Sequence, residues 1–279
     1  MIDAKRYIRC AGAAIMAAVL LFWAASGPVD AAEFDHGHGI FDQVLRERVV
    51  NGRVDYKGLL KSPALLDRYL QTTSSVTEAQ FKGWNEGQQL AFLINLYNAA
   101  TLRLIIDHYP LKSIRDIGHL IKGPWDQKVV NLFGKTTTLN HLEHGIIRKD
   151  YAEPRIHFAL VCAAKSCPAL PSFAFTGDAL DAQLDQRVRL YLASPEGLRL
   201  DRAAGKVSIS FIFKWYGEDF RPAFYPTSGF GGLQAEERAV MNFIGKYAYD
   251  DIRRYFAAGG YALKYLEYDW SLNEQEVAP

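Results

Sequence analysis

Residues 85–108 read NEGQQLAFLINLYNAATLRLIIDH, and this stretch decides the fold. Asn85 stands where a helix N-cap belongs, with Gln88 three residues on, the spacing of a capping box. Leu90, Leu93, Ile94, Tyr97, Leu104 and Ile105 recur at helical spacing, and Pro110 ends the run. The pattern predicts a helix over about 85–108 whose apolar surface is too broad for a solvent face, so it belongs at the centre of a core. Gln88, Ala91, Asn95 and Asn98 follow at steps of three, four and three, and share one face. A buried amide left without partners costs about 1–3 kcal/mol. Asn95 and Asn98 therefore either tie the helix to its neighbours or orient a ligand, and both are binding candidates.

Working outward, Ile40 to Val49 reads as a helix, Asn51-Gly52 as a turn, and Val54 with Tyr56 as a short strand. Leu59 to Leu70 reads as one helix with Pro63 near its start, and Thr77 to Phe81 as a brief helical turn. Beyond Pro110, a short helix is expected over Ile114 to Ile121, then a hairpin of Val129–Phe133 and Thr136–Leu139 around Gly134. Asn140 is expected to cap a helix running through Arg148. Arg155 to Cys162 is apolar on both faces after Arg155, the pattern of a buried central strand. Later elements are a helix over Asp178–Leu192, strands around Gly205, an aromatic helix at Phe211–Tyr216, two helices after the glycine-rich Ser228–Gly232, and an edge strand from Ala262 to Trp270. Strands and helices do not alternate as a doubly wound sheet requires. The class is α+β, with helices around a small, mostly antiparallel sheet, in one domain over residues 34–273 and a short tail at 274–279.

The chain has 279 residues, with 32 Lys plus Arg against 31 Asp plus Glu and no run of like charge. That balance argues against a nucleic-acid partner, which calls for a basic stripe. The first 31 residues differ. Lys5, Arg6 and Arg9 precede an apolar run from Cys10 to Ala25, and Val29-Asp30-Ala31 fits a small-residue cleavage site. This is the layout of a secretory signal peptide. A periplasmic or secreted protein is expected, with no stable membrane span after cleavage; an uncleaved N-terminal membrane anchor is the alternative. Removing residues 1–31 leaves 29 charges of each sign and two cysteines, Cys162 and Cys167. In an oxidising compartment the two can pair as a disulfide, or one can be a working thiol.

The segment Ala91-Phe92-Leu93-Ile94-Asn95-Leu96-Tyr97-Asn98-Ala99 resembles the central helix of the domain of unknown function 547 family. Leu142 to Arg148 looks like that family's acidic-His helix. Arg155 to Cys162 with Ser166-Cys167-Pro168 looks like its strand and following loop. Phe213-Lys214-Trp215-Tyr216 with Asp219-Phe220, and Tyr268-Asp269-Trp270-Ser271-Leu272-Asn273, are similar to its late motifs. The resemblance spans about residues 84–273. It implies a fold and candidate positions, and no reaction, since the family carries no agreed activity.

The catalytic candidates are Cys162, His144, His157 and Glu143; Lys165 and Ser166 join Asn95 and Asn98 as binding candidates. A thiol is activated by a neighbouring His. Cys162 can meet His144, while His157, five residues before it on a regular strand, falls on the opposite face. Glu143 is expected to pair with Arg148 or Arg155. His141, His144 and His157 are permissive for zinc but lack two His at i and i+4 flanking a Glu, so neither metal nor cofactor is expected. His36 and His38 read as a solvated tail, and Trp125, Trp215 and Trp270 as anchors rather than a stacking platform. Asn98, Glu143, His144 and His157 are polar groups on apolar elements, and they are expected to meet in one network beside Cys162.

Two functions are carried. A non-catalytic binding or scaffold module, with an unidentified ligand or envelope protein as partner, is favoured because no complete catalytic constellation can be placed. The alternative is a thiol-dependent hydrolase or acyl transferase of the cell envelope, using Cys162 with His144 or His157. Export itself is directly measurable: N-terminal sequencing of the envelope fraction should begin at Ala32 or Glu33. A membrane-bound product that still starts at Met1 contradicts it.

Overall fold

Asn85 Oδ1 accepts the backbone N–H of Gln88 at 2.9 Å, and Gln88 Oε1 accepts that of Asn85 at 3.1 Å. This capping box starts the long helix where its sequence places it. The computed structural model describes residues 33–118 and 122–276, and those from Asp35 on belong to one compact unit. The expected signal segment lies outside the described residues.

The chain opens with α1 (Gly39–Arg48), a tight hairpin of β1 (Val49–Val50) and β2 (Arg53–Val54), then α2 (Tyr56–Lys61), α3 (Ala64–Ser74) and α4 (Glu78–Gly83). The single helix expected over Leu59–Leu70 is two helices. Ser62, which precedes Pro63, is pushed out of helical geometry to φ −138°, ψ 67°, as the proline ring demands of its neighbour. The His36/His38 expectation also fails. His38 is buried, with Nδ1 2.8 Å from the Tyr69 hydroxyl, and burial lowers its pKa to about 4.

The long helix is α5 (Glu86–Asp107). Every residue from Leu90 to Leu102 is buried, so this is a core helix with no wet face. It is long and apolar enough to cross a bilayer, but 89% of that stretch is buried within the protein. Next comes a 3₁₀ turn at Ile114–Asp116, in place of the helix expected to reach Ile121, residues 119–121 lying outside the described ones. The hairpin β3 (Lys128–Leu132) and β4 (Lys135–Thr138) follows as read from sequence.

The segment expected to be a central strand is not one. Pro154–Phe158 forms a 3₁₀ turn, with Pro at its first position and Glu153 accepting the Arg155 N–H at 3.0 Å; Ala159 to Ala163 then runs as irregular chain. Its apolar side chains are buried as the pattern required, but among the described residues no strand lies beside it. Its backbone is satisfied by Asn98 instead: Nδ2 donates to the Ala159 carbonyl at 2.9 Å, and the Val161 N–H donates to Oδ1 at 2.9 Å. Asn95 does the same one turn earlier, bonding the Phe175 carbonyl at 2.7 Å and its N–H at 3.0 Å.

The remaining elements are α6 (Arg148–Asp150), α7 (Leu180–Ala193), β5 (Leu198–Asp201), β6 (Lys206–Ile209), α8 (Ile212–Trp215), α9 (Gly217–Phe224), α10 (Ala235–Tyr247), α11 (Asp250–Ala258) and β7 (Ala262–Tyr265). Helices thus surround small sheets, which is the α+β class. Among the described residues the sheets are three separate ones, and within the third, β6 pairs antiparallel with β5 and parallel with β7. A second apolar cluster, including Phe158, Phe213, Phe220, Phe243 and Phe256, packs α8–α11 onto α7 and the 3₁₀ turn.

Because Asn98 supplies both bonds to an otherwise unpartnered backbone, Asn98→Ala strands a buried carbonyl and a buried N–H. The expected loss is about 2–5 kcal/mol in a denaturant titration; a loss below about 0.5 kcal/mol would show that the amide bridge is dispensable.

Candidate functional site

The loop from Cys162 to Cys167 is held from two sides. Asn98 fixes its entry at Val161. The C-terminal segment clamps the rest: Asn273 N–H donates to the Ala163 carbonyl at 2.9 Å, Lys165 N–H to the Ser271 carbonyl at 2.8 Å, and Ser166 N–H to the Asp269 carbonyl at 3.1 Å. Ala163 takes a positive φ of 59°, an uncommon conformation for a residue with a Cβ, and the clamp holds it there.

Cys162 and Cys167 are both free thiols in this structure. They are not equivalent. The thiolate form of Cys162 is favoured, first by the Cys167 thiol donating to it, and also by the Tyr268 hydroxyl at 3.3 Å and the Ala164 N–H; burial and Glu143 oppose this, and the net shift is downward. Cys167 is pushed far up by burial and by its role as donor. Its sulfur also accepts the Cys162 N–H at 2.9 Å.

Cys162 and Cys167 line a cavity of about 370 Å³, whose walls also carry Glu143, His144 and His157. Glu143 and His144 sit on a π-helical turn, His141–Ile147, a rare element that recurs at functional sites. His157 comes from the 3₁₀ turn, and its Nε2 lies 2.8 Å from Asp219 Oδ2. The same carboxylate takes two bonds from Arg148, at 2.7 and 2.8 Å. Although burial raises its pKa, the bonds from His157 and Arg148 win and hold Asp219 well below the usual carboxylate range. Tyr216 is the common neighbour. Its ring stacks on His157 at 4.0 Å between centroids and on His144 at 6.2 Å, and burial together with nearby Glu143 pushes its hydroxyl pKa up.

Three of the four side chains expected to meet, Glu143, His144 and His157, line the one cavity, each with its own hydrogen-bond partner: Tyr97, Arg148 and Asp219 in turn. Asn98 does not, because both ends of its amide are spent on backbone. Asn95 is likewise structural rather than ligand-binding. Glu143 pairs with neither Arg148 nor Arg155 through its carboxylate; it accepts the Tyr97 hydroxyl at 3.0 Å, while Arg155 is taken by Glu153, Asp181 and Asp185. The buried Ser166 hydroxyl accepts the Asp269 N–H at 2.8 Å, and Lys165 lines a different cavity. His144 Nδ1 is engaged by Arg148 at 2.7 Å, and His141 lies over Gly145. Among the described residues no group of three His, Cys, Asp or Glu side chains is arranged to hold a metal ion.

Sequence reasoning missed Tyr216, Asp219 and Tyr268 as site residues, although their motifs stood out. Trp125, Trp215 and Trp270, read from sequence as anchors, line the cavity together, with Trp270 at 6.0 Å from Trp125 and 5.7 Å from Trp215.

The family model described as "Protein of unknown function, DUF547" matches residues 81–192, which contain α5, the π turn, the 3₁₀ turn and the cysteine loop. The chain thus resembles that family over the part that builds most of the cavity wall. No curated protein and no solved structure matches the chain.

With Cys162 favoured as thiolate and Cys167 as thiol, iodoacetamide should label Cys162 first. Tyr268→Phe removes one donor to the thiolate, so the midpoint of the pH–rate profile should move up and labelling at neutral pH should slow several-fold. An unchanged profile, or faster labelling of Cys167, contradicts this assignment.

Proposed function

We propose that this protein is a thiol-dependent acyl-transfer enzyme, a hydrolase or transferase acting outside the cytoplasm. One observation carries the reading: a thiol whose ionised form is favoured sits in the wall of an open cavity also lined by His157, which is bonded to Asp219 behind it. Cys162 is the nucleophile and needs no separate base once ionised. Its sulfur attacks an acyl carbonyl, the S–C bond forms, and the departing amine or alcohol leaves with a proton from the His157 imidazolium. Water or an acceptor amine or hydroxyl then gives its proton to His157 while attacking the thioester carbon, and Cys162 departs as thiolate. Asp219 fixes the His157 ring by its bond to Nε2, and Arg148 holds Asp219 in place. The tryptophan wall suits a substrate with a flat ring or sugar face beside the acyl group.

The non-catalytic reading rests on that same wall. Trp215 is 44% exposed, and stacking a ring there needs no chemistry. The signal-peptide pattern supports work in the envelope under either reading.

Exposure to 4-nitrophenyl acetate followed by peptide mass spectrometry separates the two. An acetyl group should appear on Cys162 and not on Cys167, and Cys162→Ala should abolish it. His157→Gln should let the acyl-enzyme accumulate and slow its turnover by about 10²–10⁴-fold. A protein that acquires no acyl group on Cys162 is not this enzyme, and the binding module then stands.

A further inference from the structure

A second cavity, of about 650 Å³, lies on the far side of the cysteine loop, between α7, the β1–β2 turn and the loop after Cys167. Its distinctive residue is Arg187. The buried positions of α7 are Leu180, Leu184, Arg187, Val188 and Tyr191, an apolar stripe in which one member is a cation. Arg187 is 6% exposed. One of its terminal nitrogens donates to the Ala169 carbonyl, and its Nε is buried with no hydrogen-bond partner. No acidic side chain offsets its burial, which lowers its pKa to about 10. Buried guanidinium groups are normally paired, and an orphaned N–H on one calls for a missing acceptor.

The surroundings carry the same sign. Arg53 and Lys165 line the cavity with Arg187, against one acid, Glu196; Asp269 feels the field of Lys165 and Arg53 but is not part of the wall. Asn51, Ser172 and Asn273 add neutral polar groups. A planar guanidinium flanked by an ammonium matches the geometry of a phosphate or carboxylate group.

We propose that this cavity is a binding site for a small oxyanion, a phosphate or carboxylate group, with Arg187 as its central ligand and Lys165 and Arg53 completing its charge. The site is separate from the tryptophan-lined cavity and does not depend on the acyl-transfer reading. Cys167 lines both cavities, so an occupant here rests against the back of the thiol loop.

Calorimetric titration of the whole protein with inorganic phosphate and, separately, with acetate, at matched ionic strength, tests this. Saturable binding of one or both is expected, phosphate alone pointing to a phosphoryl ligand and acetate alone to a carboxylate. Arg187→Met should abolish it. Lys165→Ala, a change at a half-buried loop position, should leave the fold intact and weaken binding by about tenfold or more, the scale of one charge-assisted hydrogen bond. Should Arg187→Met fail to fold, the Lys165→Ala result decides alone. No saturable binding of either anion, or binding that Lys165→Ala leaves unchanged, overturns the site.

Discussion

Two side-chain amides on one buried helix hold this structure together. Asn95 and Asn98 each present a carbonyl and an NH₂ to the backbone of a segment that has no strand beside it, and so act as one residue of a missing neighbouring strand. A buried loop is otherwise prohibitive, since every unpaired backbone group inside costs free energy. The amides let apolar, irregular chain pass through the core, and irregular chain can place a cysteine where a regular ladder would turn it away. The cavity depends on that substitution of amide for strand.

Asp219 is the carboxylate that ties the cations around the cavity together. Asp219 serves Arg148 and His157 at once, and Arg148 lies over the Tyr216 ring at 5.0 Å, the same ring that stacks on His157. Glu143, buried against Tyr97 and Tyr216, puts negative charge near Cys162 and works against its ionisation; the Cys167, Tyr268 and Ala164 donors outweigh it. Neighbouring cysteines are thereby driven apart in character, one toward anion and the other toward neutral donor.

Regular elements were legible in the sequence where local signals and burial agreed. The capping box at Asn85, the stop at Pro110 and the hairpin at Gly134 are local chemistry, and each lies where it was read. Arg155 to Cys162 was misread because a continuous apolar run reports burial and not hydrogen-bond partners, and the partner here is a side chain some sixty residues earlier. The site followed the same division. Cys162, Glu143, His144 and His157 were found because their chemistry is intrinsic to the residue type. Tyr216, Asp219 and Tyr268 matter through what they touch, and their partners lie from 59 to 106 residues away. Lys165 was singled out correctly as a polar group near the thiols, but a tight loop turned it to the opposite side.

The segment from Tyr268 to Asn273 has a consequence for the order in which the molecule becomes competent. It supplies one donor to the Cys162 sulfur, two rings of the cavity wall and the hydrogen bonds that hold the thiol loop, yet Tyr268 is synthesised 106 residues after Cys162. A ribosome-bound or prematurely terminated chain contains the helix, the histidines and both cysteines, and lacks the strap that fixes them. Assembly of the thiol centre therefore waits for this strap, and the sulfur is not positioned until translation has passed it.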